Sequence, residues 1–164
     1  MHPARLPPEE LLAECDERRL RRSGPGGQHR NKVETAVALA HRPSGVAAEA
    51  SERRSQQQNR LVATHRLRVR LALEVRTPAS GEPTDLWSSR TSGGRVSVNP
   101  AHDDFPALLA EALDRLAADG WDEAISADTL GVSRSQLVKL LRLEPAALEL
   151  LNEHRTERGL ARLK

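Results

Sequence analysis

Aromatic residues are nearly absent from this chain of 164 residues: Trp87, Phe105 and Trp121 stand alone, and there is no tyrosine. A core without large rings must be assembled from leucine, valine and alanine, so close helix and sheet packing has to supply the burial. Cysteine is represented only by Cys15, which excludes an internal disulfide and fits a reducing compartment. No histidine or other base stands beside Cys15 in sequence, so it reads as a small buried hydrophobe rather than a nucleophile. No uninterrupted apolar run approaches membrane-spanning length, and the start, MHPARLPPEE, has no apolar signal core. A soluble cytoplasmic protein with no membrane contact is expected. No cofactor or metal site is expected either.

Lysine is also scarce, three against 22 arginines. The formal net charge of +2 conceals a division: residues 1–77 hold fifteen basic against nine acidic side chains, and residues 78–164 hold ten against fourteen. A basic first half suits a phosphate-rich partner, because each neutralised phosphate releases counterions. The acidic second half argues against non-specific attraction to duplex DNA.

Local patterning divides the chain into 1–76, an α+β domain; 77–104, a linker or extended loop rich in Gly, Pro, Ser and Thr; and 105–164, an α-helical module. In the first part, PPEELLAEC predicts a short helix and 16–22 a strand. Alternation over 33–41, the Pro43-Ser44-Gly45 reversal and 46–50 predict a hairpin. Residues 55–76 carry Ala63, Leu67, Leu71 and Val75 at helical spacing, although 67–75 alternates equally well for a strand; length and the lack of Gly or Pro favour a helix. In the last part, Asp104 to Pro106 reads as a cap and first turn, with Leu109, Leu113 and Leu116 facing the core. AISADTLGVSRSQLVKLL resembles a helix-turn-helix, with Ser133 and Gln136 as a capping box and Arg134, Ser135, Lys139 and Arg142 presented outward.

The distinctive stretch is Ser23 to Lys32, SGPGGQHRNK. Gly26 and Gly27 let the backbone take conformations closed to other residues, Pro25 stiffens the entry, and Gln28 places an uncharged amide beside them. Taken alone, Gly-Pro-Gly-Gly is ordinary turn punctuation. The longer run RRSGPGGQHRNKVETAVALAHRPSGVAAEASERRSQQQNR, however, resembles over its whole length the catalytic GGQ domain of class I peptide chain release factors and their ribosome-rescue relatives. SGPGGQH, Asn31-Lys32, HRPSG at 41–45 and RSQQQN at 54–59 occur in the family's order. The likeness covers about residues 11–76, and Arg30 departs from it, standing where the family usually has a small apolar residue.

The resemblance implies that Gly26, Gly27 and Gln28 enter the peptidyl-transferase centre and promote hydrolysis of the peptidyl-tRNA ester in the P site. It implies that the Gln28 N–H stabilises the tetrahedral oxyanion, while the Gln28 side chain positions water and excludes larger nucleophiles. Large-subunit rRNA and tRNA phosphates are the expected partners of Arg21, Arg22, His29, Arg30, Asn31 and Lys32. Arg54, Ser55, Gln56 and Asn59 are expected to brace the loop or touch RNA, and Glu34 and Thr35 to be hairpin surface. Since 164 residues leave no room for both a decoding domain and the family's N-terminal helical domain, codon-independent ribosome rescue is expected. The helical module would select the target through RNA or a protein. The rival readings are a non-catalytic ribosome or RNA binder and a helix-turn-helix regulator.

Overall fold

A computed structural model describes residues 1–20 and 35–164. After a 3-10 turn at Pro3–Arg5, helix α1 spans Pro8–Ala13, with Glu9 and Glu10 in its first turn, where exposed N–H groups favour negative charge. Strand β1, Cys15–Leu20, pairs antiparallel with β2, Ala36–His41, which pairs antiparallel with β3, Ala47–Ala50. The expected strand over 16–22 is seen as far as Leu20; Arg21 and Arg22 lie outside the described residues. The β2–β3 reversal runs through Pro43 and Ser44 to Gly45, whose φ of +74° is the left-handed geometry that glycine takes without strain.

Helix α2, Gln56–Glu74, lies across this sheet. Val37 and Leu39 of β2 and Ala63, Leu67 and Leu71 of α2 are fully buried in the same cluster. The double periodicity of 67–75 now has a physical cause. α2 is packed on the sheet and also on helix α4, Phe105–Ala118, so Val69 and Leu73, off the main stripe, are partly buried as well. α4 is correspondingly buried nearly all round: Leu108 and Ala112 are as inaccessible as the expected Leu109, Leu113 and Leu116. Arg68, 6% exposed, ties three elements together by donating to the carbonyls of Ala4 (3.1 Å) and Asp103 (2.7 Å). One hydrophobic cluster therefore runs from Ala4 to Leu151.

Residues 77–104 hold more order than their composition suggests. Helix α3, Asp85–Ser89, is capped by Thr84, and β4, Thr91–Ser92, pairs with β5, Arg95–Val96, through Gly93 and Gly94, both at positive φ. Trp87 is 1% exposed and donates its indole N–H to the Leu130 carbonyl at 2.8 Å. Two clamps fasten the start of this segment to α4. Thr77 gives its N–H and hydroxyl to the two oxygens of Asp114 (3.0 and 2.6 Å), and Thr84 does the same to Glu111 (2.8 and 2.6 Å). The first stretch, 77–84, is thus pinned at both ends to one helix.

Helices α5, Glu123–Thr129, α6, Arg134–Arg142, and α7, Pro145–Glu157, complete the chain. α5 and α6 pack together across the Gly131 turn in the expected helix-turn-helix arrangement, with Leu137, Leu140 and Leu141 buried. Two capping expectations are corrected. Asp104 occupies the N-cap position of α4 but sends its carboxylate to Arg90 (Nε at 2.9 Å), whose guanidinium outcompetes a helix N–H. Ser133 does cap α6, accepting from the Gln136 N–H at 3.3 Å, but the reciprocal half of the box is replaced, since the Ser133 N–H donates to the Gly94 carbonyl at 3.0 Å. Glu123, 4% exposed, meets Arg134 at 2.5 Å and also pairs with the buried Arg155, locking α5, α6 and α7 together. The fold is α+β, and among the described residues no helix is long and apolar enough to cross a membrane.

Candidate functional site

Arg21, Arg22, Gly26, Gly27, Gln28, His29, Arg30, Asn31 and Lys32 all lie outside the described residues, as does Glu34. What the structure shows is the frame from which that segment departs and returns. Leu20, the last described residue before it, is paired with Ala36, in register with Arg19 opposite Val37 and Arg18 opposite Ala38. Neighbouring strands lie about 4.8 Å apart, so the segment leaves and re-enters the fold at one point on the sheet.

Asn59 holds the returning end. Fully buried in the first turns of α2, it donates its side-chain amide to the carbonyl of Thr35 at 2.7 Å and to that of Arg53 at 2.9 Å, and its Oδ1 accepts from the Arg53 N–H at 2.9 Å. Three bonds satisfy the group, which buries it at low cost. The helix start is set beside it: Ser55 is the N-cap residue, accepting weakly from the Gln58 N–H at 3.5 Å, and Gln56 is the half-buried first helical residue. Arg54 is exposed. Of the four residues expected to brace the loop or touch RNA, Asn59 and Ser55 order the frame, and Arg54 faces solvent.

Thr35 is not simply hairpin surface, because its carbonyl is the Asn59 acceptor. A backbone carbonyl carries no residue-type signature, so nothing in the amino-acid identity at 35 could have revealed it. A second tie, Arg60 on α2 to Glu17 on β1 at 2.8 Å, fixes the departing strand to the same helix. Arg18 and Arg19 on β1 and Arg53 before α2, absent from the sequence expectation, are exposed, as is Arg54, and no described carboxylate pairs with any of the four. The mouth of the frame is therefore cationic.

Other candidates are chemically quiet. The Cys15 thiol donates to the Leu11 carbonyl at 3.2 Å, and burial pushes its pKa up, which keeps it protonated and inert. A groove of about 750 Å³ runs between β3, α2 and Leu143. It is lined by Ala47, Glu49, Val69 and Leu73 and includes none of the expected site residues. Among the described residues no group of three His, Cys, Asp or Glu is placed to hold a metal ion.

Comparison with known proteins decides the family. Residues 10–96, the stretch containing the frame and the Gly-Gly-Gln segment, match the family model described as RF-1 domain. The chain belongs to the RF-1 domain family. It is 37% identical over 120 residues to peptide chain release factor 1 of Acidiphilium cryptum, covering 67% of this chain and 34% of that protein. It is 34% identical over 146 residues to peptide chain release factor 1 of Streptococcus thermophilus, covering 80% of this chain and 41% of that one. This RF-1 domain protein thus spans less than half the length of these curated relatives. No solved structure matches it.

Proposed function

We propose that this RF-1 domain protein promotes hydrolysis of the peptidyl-tRNA ester in the peptidyl-transferase centre, without requiring a stop codon. The observation that carries the reading is the Gly26-Gly27-Gln28 tripeptide in a segment whose two ends are joined by the β1–β2 ladder and held to α2 through Asn59. Such a frame fixes the two ends of the segment on one sheet and one helix. At the tip, Gly26 and Gly27 present no side chain to the ribose or to rRNA. The Gln28 N–H is the donor for the oxyanion that forms when water attacks the ester carbonyl, and the Gln28 amide orients that water. The side chain is too weak a base to take the proton, so the tRNA and the ribosome contribute to the proton transfer.

Arg21, Arg22, His29, Arg30, Asn31 and Lys32, with Arg54 at the frame, contact rRNA or tRNA phosphates in this reading. The helical module is the part that selects the ribosomal state, and the protein acts in the cytoplasm. Peptide release from purified ribosomes carrying peptidyl-tRNA, with a stop, a sense or no codon in the A site, tests it. Release is expected in all three and fastest with the empty site. Release confined to stop codons removes the rescue reading, and no release with any of them, despite binding, leaves a non-catalytic ribosome binder.

A further inference from the structure

Among the described residues, the exposed arginines are mostly spoken for. Arg42 meets Asp16, Arg60 meets Glu17, Arg66 meets Glu52, Arg70 meets Glu74, Arg158 meets Asp122 and Arg162 meets Glu149, all between 2.5 and 3.4 Å. A guanidinium facing a carboxylate projects little net field toward an outside phosphate. Among the described residues, and apart from Lys164 at the last position, the exposed cations that no described carboxylate meets fall into two groups. One is Arg18, Arg19, Arg53 and Arg54 at the loop frame. The other is Arg95 on β5 with Lys139 and Arg142 on α6, the helix that packs against β5.

α6 contains no acidic residue, and Lys139 and Arg142, three positions apart, share the face opposite the buried Leu137, Leu140 and Leu141. The nearest carboxylate in sequence, Glu144, is engaged in capping α7 through the Ala146 N–H. The acidic balance of residues 78–164 does not cancel this face, because much of it is turned inward. Glu111, Asp114 and Glu123 are buried on their partners, and Asp119 and Asp122 hold arginines. Base reading in a DNA groove uses the N-terminal residues of a recognition helix. Here that end is closed: Arg134 is bound to Glu123, the Ser133 N–H to the Gly94 carbonyl, and the Ser133 and Ser135 hydroxyls to each other. Only the phosphate-facing half of α6 remains open.

We propose that Lys139 and Arg142, together with Arg95, form a second phosphate-binding surface that seats the helical module on ribosomal RNA. The inference rests on the ribosome being the partner of the loop frame. A folded RNA larger than the protein engages both patches at once, and two linked sites hold far more tightly than either alone.

The test is binding of the full chain to purified large ribosomal subunits as a function of salt, read without peptide release. Lys139→Gln with Arg142→Gln should weaken binding and lower the slope of log affinity against log salt by about 1.4 to 1.8, at about 0.7 to 0.9 for each phosphate no longer neutralised. Arg158→Gln with Arg162→Gln removes the same formal charge from ion-paired positions and should leave the slope unchanged. An unchanged slope in the first variant overturns the proposal. So does an equal fall in both variants, which would report net charge alone. A drop in melting temperature with the slope intact would reduce Lys139 and Arg142 to stabilisers of a helix end. Equal or tighter binding to an arbitrary DNA duplex, lost in the first variant, would replace RNA by DNA. Subunit binding through α6 with no peptide release would sink the hydrolysis reading and leave this one standing; release with an unchanged slope would do the reverse.

Discussion

The side-chain amide of Asn59 donates to the carbonyl oxygen of Thr35 across 24 positions of sequence, at 2.7 Å. The first described residue after the Gly-Gly-Gln segment is thereby tied to the second turn of the longest helix in the described structure, and the same side chain fixes both backbone groups of Arg53.

Asn59→Asp keeps the size and the acceptor but removes both donated bonds and sets a carboxylate against two carbonyl oxygens. We expect a loss of about 2–4 kcal/mol in urea unfolding. Peptide release, measured well below the melting temperature, should fall at least about tenfold, because a displaced loop base misplaces the tip. Unimpaired release by a destabilised variant would limit Asn59 to a role in folding.

Gly27→Ala should lower peptide release by about 100-fold or more while leaving the melting temperature and ribosome binding nearly unchanged, since its added Cβ obstructs only the docked loop. Gln28→Ala should be milder, because alanine retains the backbone N–H. The opposite order of losses would move the main effect to the glutamine side chain.

Arg66 and Arg70 reach from α2 over the open edge of β3, donating to the carbonyls of Glu49 (2.9 Å) and Ala47. Those are the outward-facing acceptors of an edge strand, which otherwise invites pairing with another chain. Replacing both arginines by alanine should produce concentration-dependent oligomers in size-exclusion chromatography. A strictly monomeric double variant would show that the edge is protected by something else.

Two buried groups among the described residues contribute to the pH dependence. Burial pushes the imidazole of His2 below its ordinary 6.5, outweighing its hydrogen bond to the Val75 carbonyl and the nearby Asp114, with Arg76 and Arg5 acting in the same downward direction. The unfolded chain therefore takes up the proton first, and stability is lost as pH falls from about 6.5 towards the lower folded value. Burial acts to raise the carboxyl of Glu123, but its backbone N–H, Arg134 and Arg155 together hold it below 4.5, so its contribution is lost only as pH falls through that lower value. Urea midpoints should show two steps. His2→Gln should flatten the upper one. Glu123→Gln should reduce the lower one and cost about 3–5 kcal/mol at neutral pH by stranding Arg155. A single step common to both variants would contradict the assignment.

The sequence made some of this visible and hid the rest for physical reasons. Side-chain spacing located α2, α6 and the α5–α6 turn, because Ala63, Leu67 and Leu71, or Leu137, Leu140 and Leu141, must all reach one face. Ser55 and Asn59 were legible through RSQQQN. The Thr35 and Arg53 ends of the Asn59 bonds were not, since every residue offers the same carbonyl. Asp104 kept its place before α4 but found a stronger donor in Arg90, fourteen positions earlier. Residues 77–104 look like a loop because Thr77 and Thr84 are clamped to Asp114 and Glu111, partners that no local window contains.

The two threonine clamps also make the arch between them mechanically neutral. Its ends are fixed to positions 111 and 114 of one rigid helix, so the distance it must span does not depend on its contour length. Residues grafted at Gly81, exposed and with open space around its α-carbon, would lengthen only the arch. Each doubling of such a closed loop costs about 0.6 kcal/mol in chain entropy. The crest at Gly81 is therefore a port for a fluorophore or an affinity tag that reports on the protein without moving α2 against α4.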